Sequence, residues 1–273
     1  MTGKELREAL HSGKRVYGTL IVSPSPKWLQ AGIKGIDIDF VFIDTEHIPL
    51  DIETVGWMCH AYRGQGLPAV VRIPEPDPYQ ASRMLDAGAN GIIIPYVESV
   101  EELRPIVGAV KYKPLKGKKL ERILSGEEVC EPGLKKYLEK YTENNLLIAN
   151  IESKTGMENL DKILNLPGLD AVLIGPHDLT CNLEIPAQYD HPKFDAAVRE
   201  IITKARAKGI GAGIHFWPTT TQTAKWVKEA GLNLIIHHAD MSIFCVTMKK
   251  EIDEIRKAVG DQIKTEKTEE NAV

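Results

Sequence analysis

The sequence predicts an α/β fold built as a single (β/α)8 TIM barrel, and three observations predict it. Eight short apolar runs, at about 16–21, 39–43, 69–72, 91–95, 146–152, 171–175, 210–214 and 234–237, read as strands buried on both faces. Segments with helical spacing of apolar residues separate them, as a strand–helix repeat requires. The length, 273 residues, matches one such barrel of roughly 250 residues. An open nucleotide-binding sheet would carry a Gly-rich turn after its first strand. Ser23-Pro24-Ser25-Pro26 stands there instead, and neither GxGxxG nor a P-loop occurs.

Taken in order, the elements justify themselves. The second run, Phe40 to Ile43, ends in Asp44-Thr45-Glu46-His47, and Ile52, Val55, Met58 and Cys59 then recur at helical spacing. Ala69-Val70-Val71 ends in Arg72. A long Lys-rich excursion at about 111–145 follows the fourth unit, with its own helix expected near 134–141. A structureless loop of that length is unusual, so it is read as an excursion over the barrel or a contact to another subunit. The fifth run, 146–151, ends in Glu152, and the sixth ends in Gly175-Pro176-His177-Asp178. Ala197, Val198, Ile201, Ile202 and Ala205 mark the next helix. Gly32, Gly88, Gly209 and Gly231 each precede a run, where a helix C-cap belongs. Residues 1–263 form one barrel domain in this reading, and 264–273 form a disordered polar tail.

Charge and composition exclude several functions. A net charge of −4 argues against nucleic acid or an anionic membrane as partner. No apolar stretch approaches the roughly 18 residues of a membrane span, and the mixed-charge start is not a signal peptide. Cys59, Cys130, Cys181 and Cys245 are far apart in sequence, with no Cys-x-x-Cys pair. Free thiols in a reducing cytoplasm are therefore expected.

In such a barrel the catalytic rim is the carboxyl end of the strands. Glu152 and Asp178 end adjacent strands and offer oxygen ligands suited to Mg²⁺ or Mn²⁺, although each would also serve as a helix N-cap. His47, with Asp44 three residues earlier, has the spacing of a base and its orienting carboxylate; a histidine satisfied by a backbone carbonyl is the alternative. Arg72 has the chemistry to neutralise a developing oxyanion, or to pair with Glu46 or Asp44. His215, His237 and His238 are weaker candidates, and alternation allows at most one of His237 and His238 to face the axis.

Four strings in order, FIDTEHIPL (42–50), VVRIPEPDP (70–78), NIESKTGMENLDKIL (150–164) and VLIGPHDLT (172–180), resemble the class II pyruvate aldolases of the HpcH/HpaI family. The resemblance runs from about Gly18 to Ile255. It implies a phosphoenolpyruvate/pyruvate-type barrel that assembles as hexamers, exchanging the last helix between neighbours. It also implies reversible aldol cleavage of a small-molecule 4-hydroxy-2-oxo acid to pyruvate and an aldehyde, using a divalent metal (Mg²⁺ or Mn²⁺, with Co²⁺ or Zn²⁺ as further options). Carried over by residue, Glu152 and Asp178 match the metal ligands, and Arg72 the arginine that steadies the pyruvate enolate. His47 matches the proton-transfer histidine, Asp44 its supporting carboxylate, and Asp86 an aspartate brought from a neighbouring subunit. Asn150, Gly175, Pro176, His177 and Asp178 line the pyruvate end, with the backbone N–H groups of His177 and Asp178 facing its carboxylate.

The chain departs from the family at Asn150, where Gln is usual, and at His177 and His237-His238, where small residues are usual. Three rival readings follow. A Schiff-base aldolase would need a desolvated lysine, and only Lys154 is near. A lyase acting on a CoA thioester would use the lysines of 111–119 for phosphates. A non-catalytic oxo-acid binding barrel would bind without turnover.

Overall fold

The computed structural model describes residues 1–25, 33 and 35–263. Eight parallel strands close into a barrel in sequence order: β1 Val16–Leu20, β2 Phe40–Asp44, β3 Ala69–Arg72, β4 Gly91–Ile94, β5 Leu146–Ile151, β6 Ala171–Ile174, β7 Gly211–His215 and β8 Leu234–Ala239. Alternation along each strand sorts the apolar side chains into two layers. Phe40, Phe42, Val70, Ile93, Ile148, Leu173 and Ile236 fill the barrel, while Val41, Ile43, Val71, Ile92, Leu147 and Val172 pack outward against the helices. Runs that are apolar on both faces are therefore what the architecture demands.

The amino end of the barrel is closed by α1, Gly3–Ser12, which starts with a Thr2/Glu5 capping box and buries Leu6, Ala9 and Leu10. Asn233 Nδ2 and Arg206 Nη1 both donate to the Leu10 carbonyl, at 2.9 Å each, and hold this plug in place. Between the strands run α2 Ile52–Gly64, α3 Pro78–Asp86 and α4 Val100–Lys111. Gly88, Gly209 and Gly231 have positive φ before β4, β7 and β8, as C-cap glycines do. Gly32 and the 264–273 tail lie outside the described residues.

The 111–145 excursion contains two helices, α5 Gly117–Ser125 and α6 Pro132–Tyr141, where the sequence suggested one. It connects the end of α4 to the start of β5, which places it at the amino end of the barrel, opposite the catalytic rim. Lys111 anchors it there, pairing with the buried Asp170 that precedes β6 and donating to the Asn145 carbonyl at 2.7 Å. Short helices α7 Lys154–Glu158, α8 Leu160–Leu164 and α9 Pro176–Asn182 follow, then α10 Pro192–Ala207 and α11 Thr220–Glu229.

The last helix, α12 Asp240–Val259, buries none of its residues in the single chain. Ile243, Val246, Met248 and Ile255 are all exposed on it. Beside it a groove of about 820 Å³ opens on the outside of β8 and β1, lined by Ile21, Ile38, Ile235 and Val227. Among the described residues no helix is long and apolar enough to cross a membrane.

Candidate active site

The rim is built around one ion-pair network. β2 and β3 run side by side with Asp44 in register with Arg72, so both side chains leave the same end of adjacent strands. Arg72 Nε donates to Asp44 Oδ1 at 2.8 Å and Nη2 to Oδ2 at 2.6 Å. Its Nη1 lies 3.0 Å from Glu46 Oε2. Asp44 is buried and also accepts the Glu46 backbone N–H at 3.0 Å. A bidentate carboxylate fixes a guanidinium in plane and angle better than any single contact. The Arg72 Cζ stands 5.6 Å over the Phe42 ring, which supports it from below.

This geometry corrects one expectation. Asp44 does not orient His47, because both of its oxygens are taken by Arg72 and the Glu46 amide. The carboxylate beside His47 is Glu46, with Oε2 at 3.7 Å from Nε2, and the imidazole is 52% exposed. Burial pushes the Glu46 carboxyl up, against the pull of Arg72 and with the charges of Asp44 and Asp178 adding to the rise. The sequence suggested Glu46 only as an ion-pair partner of Arg72; its place between Arg72 and His47 follows from the strand end turning at Thr45.

Glu152 follows β5 and is buried at 2% exposure. Its Oε1 accepts the Tyr96 N–H at 2.7 Å and its Oε2 the Asn150 amide at 3.1 Å. Burial pushes its carboxyl up to about 7; the Tyr96 bond opposes this, the Asp178 charge adds to it, Arg72 opposes and Glu46 adds. Glu152, Asp178, Glu46 and Arg72 therefore share one electrostatic neighbourhood. Asn182 ties it together, donating to the Tyr96 hydroxyl at 2.9 Å and to the Asp178 carbonyl at 3.2 Å. Neither Tyr96 nor Asn182 carried a sequence signal, since each acts through a contact between separate barrel units.

Gly175 lies against the same carboxylate. A Cβ built there would lie 1.8 Å from Glu152 Oε2, so only glycine lets the end of β6 approach this carboxylate. Pro176 is buried and starts α9, His177 is exposed, and Asp178 is half-buried in the first turn. No side chain caps this helix start, which leaves its first N–H groups for a ligand.

Among the described residues no group of three or more His, Cys, Asp or Glu side chains is arranged to hold a metal. The donor chemistry nevertheless suits a divalent cation held by few protein oxygens. Among the described residues no cation pairs with Glu152, and Arg72 is held by Asp44 and Glu46. The buried Asn150 Oδ1 has no hydrogen-bond partner, so one more oxygen stands available beside Glu152.

Elsewhere on the rim, His215 at the end of β7 donates from Nε2 to the His238 carbonyl at 3.1 Å. Burial drives it down to about 4, keeping the imidazole neutral. His237 is exposed and lines the outer groove, whereas His238 is half-buried at the rim. Lys154 is half-exposed and pairs with Glu184 at 3.0 Å. Asp86 ends α3, at the amino end of its own barrel, and pairs with Lys113.

The family model described as HpcH/HpaI aldolase/citrate lyase matches residues 23–234. This chain belongs to that family. Membership makes it an enzyme of the lyase class. Among HpcH/HpaI relatives, a 4-hydroxy-2-oxo-heptane-1,7-dioate aldolase of Escherichia coli is 29% identical over 241 residues, covering 87% of this chain and 89% of its own. A 5-keto-4-deoxy-D-glucarate aldolase of Klebsiella pneumoniae is 28% identical, covering 83% and 86%. The crystal structure of an HpcH/HpaI aldolase from Desulfitobacterium hafniense superposes with a TM-score of 0.78 at 26% identity, covering 92% and 96%.

Proposed function

We propose that this HpcH/HpaI enzyme cleaves a 4-hydroxy-2-oxo acid reversibly to pyruvate and an aldehyde, at a divalent cation held by Glu152 and Asp178. The observation that carries this reading is a buried carboxyl, Glu152, with no cation of its own on a rim where Arg72 is already locked. Glu152 and Asp178 would hold Mg²⁺ or Mn²⁺, with Co²⁺ or Zn²⁺ as the further candidates, and the ion would supply Lewis-acid charge for the keto acid.

The protein's own groups account for the rest. Breaking the C3–C4 bond sends its electron pair toward the C2 oxygen. Arg72 has five N–H donors; Asp44 takes two of them in hydrogen bonds, and Glu46 stands in ion-pair contact with Nη1. The donors that Asp44 leaves open can meet that oxygen as charge develops. Asp44 is thus a positioning residue for Arg72. His47, beside Glu46, takes the C4 hydroxyl proton and returns a proton to C3. The uncapped N–H groups of His177 and Asp178 bind the substrate carboxylate, and Gly175, Pro176 and Asn150 shape its pocket. In an assembly, Asp86 of a second copy would approach His47, and α12 would lie in the groove of a neighbour. The exposed apolar face of α12 supports self-association, as a hexamer by family resemblance.

Pyruvate release from a panel of 4-hydroxy-2-oxo acids with Mn²⁺ or Mg²⁺, abolished by chelation and restored by metal, tests the reading. Turnover that survives complete chelation refutes it. A CoA-thioester lyase is disfavoured because the lysines of 111–119 stand at the opposite end of the barrel.

A further inference from the structure

The β7–β8 side of the rim carries a surface that the cleavage chemistry leaves unused. Four rings run from the guanidinium to solvent. Phe42, beneath Arg72, meets His215 edge-on at 5.8 Å between centroids. His215 lies 5.0 Å from Trp217, and Trp217 lies 6.1 Å from His238, inclined at 31°. Trp217 remains 38% exposed, although an indole gains most when covered.

The backbone is shaped to present this surface. β8 pairs with β1 through Gly18↔Ile236 and then Leu20↔Ala239, so two residues, His237 and His238, oppose Thr19 alone. Such bulges re-aim side chains beside active sites. His238 sits at φ 58, a left-handed conformation that a histidine adopts only at a cost. Its carbonyl is held by His215 Nε2 at 3.1 Å and by Thr19 Oγ1 at 3.4 Å, which fixes the bulge.

Charge is missing from this wall. Burial holds the His215 imidazole at about 4 and pushes His238 down, with the neighbouring His237 adding to the fall. Arg72 is paired with Asp44 and Glu46 and turns its open donors to the keto oxygen, and Lys154 pairs with Glu184. A distal carboxylate on the aldehyde half would meet no available cation among the described residues at this wall.

Resting on the function proposed above, we infer that Trp217, His238 and His215 form the subsite for the aldehyde half, and that it takes a flat, uncharged aromatic group. A ring stacked on Trp217 would cover the exposed indole and continue the series of rings out from Phe42. The three residues act by binding, and His215 also positions His238 through its carbonyl.

The test compares pyruvate release from two 4-hydroxy-2-oxo acids, one bearing a phenyl group and one bearing a terminal carboxylate. The intact enzyme is expected to favour the phenyl compound at least about tenfold in kcat/KM. Trp217→Ala should cut that ratio by about tenfold, mainly through KM, as the loss of one stacking contact implies. Trp217→Phe should restore most of it. His238→Asn, which tolerates the left-handed backbone, should lower the ratio less. A preference for the carboxylate compound, or a ratio unmoved by Trp217→Ala, overturns the inference. Exchange of pyruvate methyl protons by the intact enzyme with Mg²⁺ is measured alongside. Exchange without aromatic preference removes only this inference, whereas no exchange removes the enolate reading and the inference with it.

Discussion

Asp44 and Arg72 stand opposite each other on neighbouring parallel strands and close a two-pronged ion pair at 2.8 and 2.6 Å. Glu46 adds a third contact to the same guanidinium at 3.0 Å. The arrangement fixes the plane of the Arg72 guanidinium with two hydrogen bonds and one ion-pair contact, and leaves its other N–H donors for substrate.

Arg72→Ala should lower turnover on the order of 10²–10³-fold, the cost of losing one oxyanion donor. Arg72→Lys should fail to rescue it, because an ammonium cannot reproduce the planar fork. Steady-state kinetics on a 4-hydroxy-2-oxo acid decides this. Near-normal turnover in either variant removes Arg72 from the mechanism.

Glu152 predicts a pH-dependent stability that metal conceals. Its carboxyl rises from 4.5 to about 7 on folding, so the fold favours the neutral form. That contribution is fully present below about pH 4.5 and is lost as pH rises through about 7, a difference of about 3 kcal/mol. In chelator, Glu152→Gln should raise Tm by roughly 5–10 °C at pH 8 and have little effect at pH 4.5. Equal shifts at the two pH values would show that burial of this carboxyl costs nothing.

Gly175→Ala should weaken Mn²⁺ binding at least about tenfold, because the new methyl would lie 1.8 Å from a Glu152 oxygen and push it away. Calorimetric titration of the folded variant measures this. Unchanged affinity would mean that the ion does not depend on this carboxylate.

No covalent adduct should form when the enzyme is treated with borohydride in the presence of pyruvate. Lys154 is half-exposed and paired with Glu184, so it lacks the desolvation that a Schiff-base lysine requires. A mass increase on any lysine peptide would replace the metal reading with an imine mechanism.

The strands were legible because a strand buried on both faces must be apolar at every position, and each of the eight runs lies within two residues of a strand of the barrel. Helix α6 was legible too, while α5 was not. The apolar residues of α5, Leu120 and Leu124, pack on Gly108 of α4, a short contact that no long periodic stripe announces. His238 was visible only as one of an adjacent pair; its rim position depends on a bulge created where β8 meets β1.

By itself, then, the chain determined the barrel and the set of residues at its carboxyl rim, because periodicity and strand ends are local properties of sequence. Which of those residues bond to one another was decided only in three dimensions. Asp44 and Arg72 are 28 positions apart, and strand register sets them face to face, while His47, three residues from Asp44, is left with Glu46. Spacing along a chain measures neighbours within one element, whereas the active site is assembled across elements.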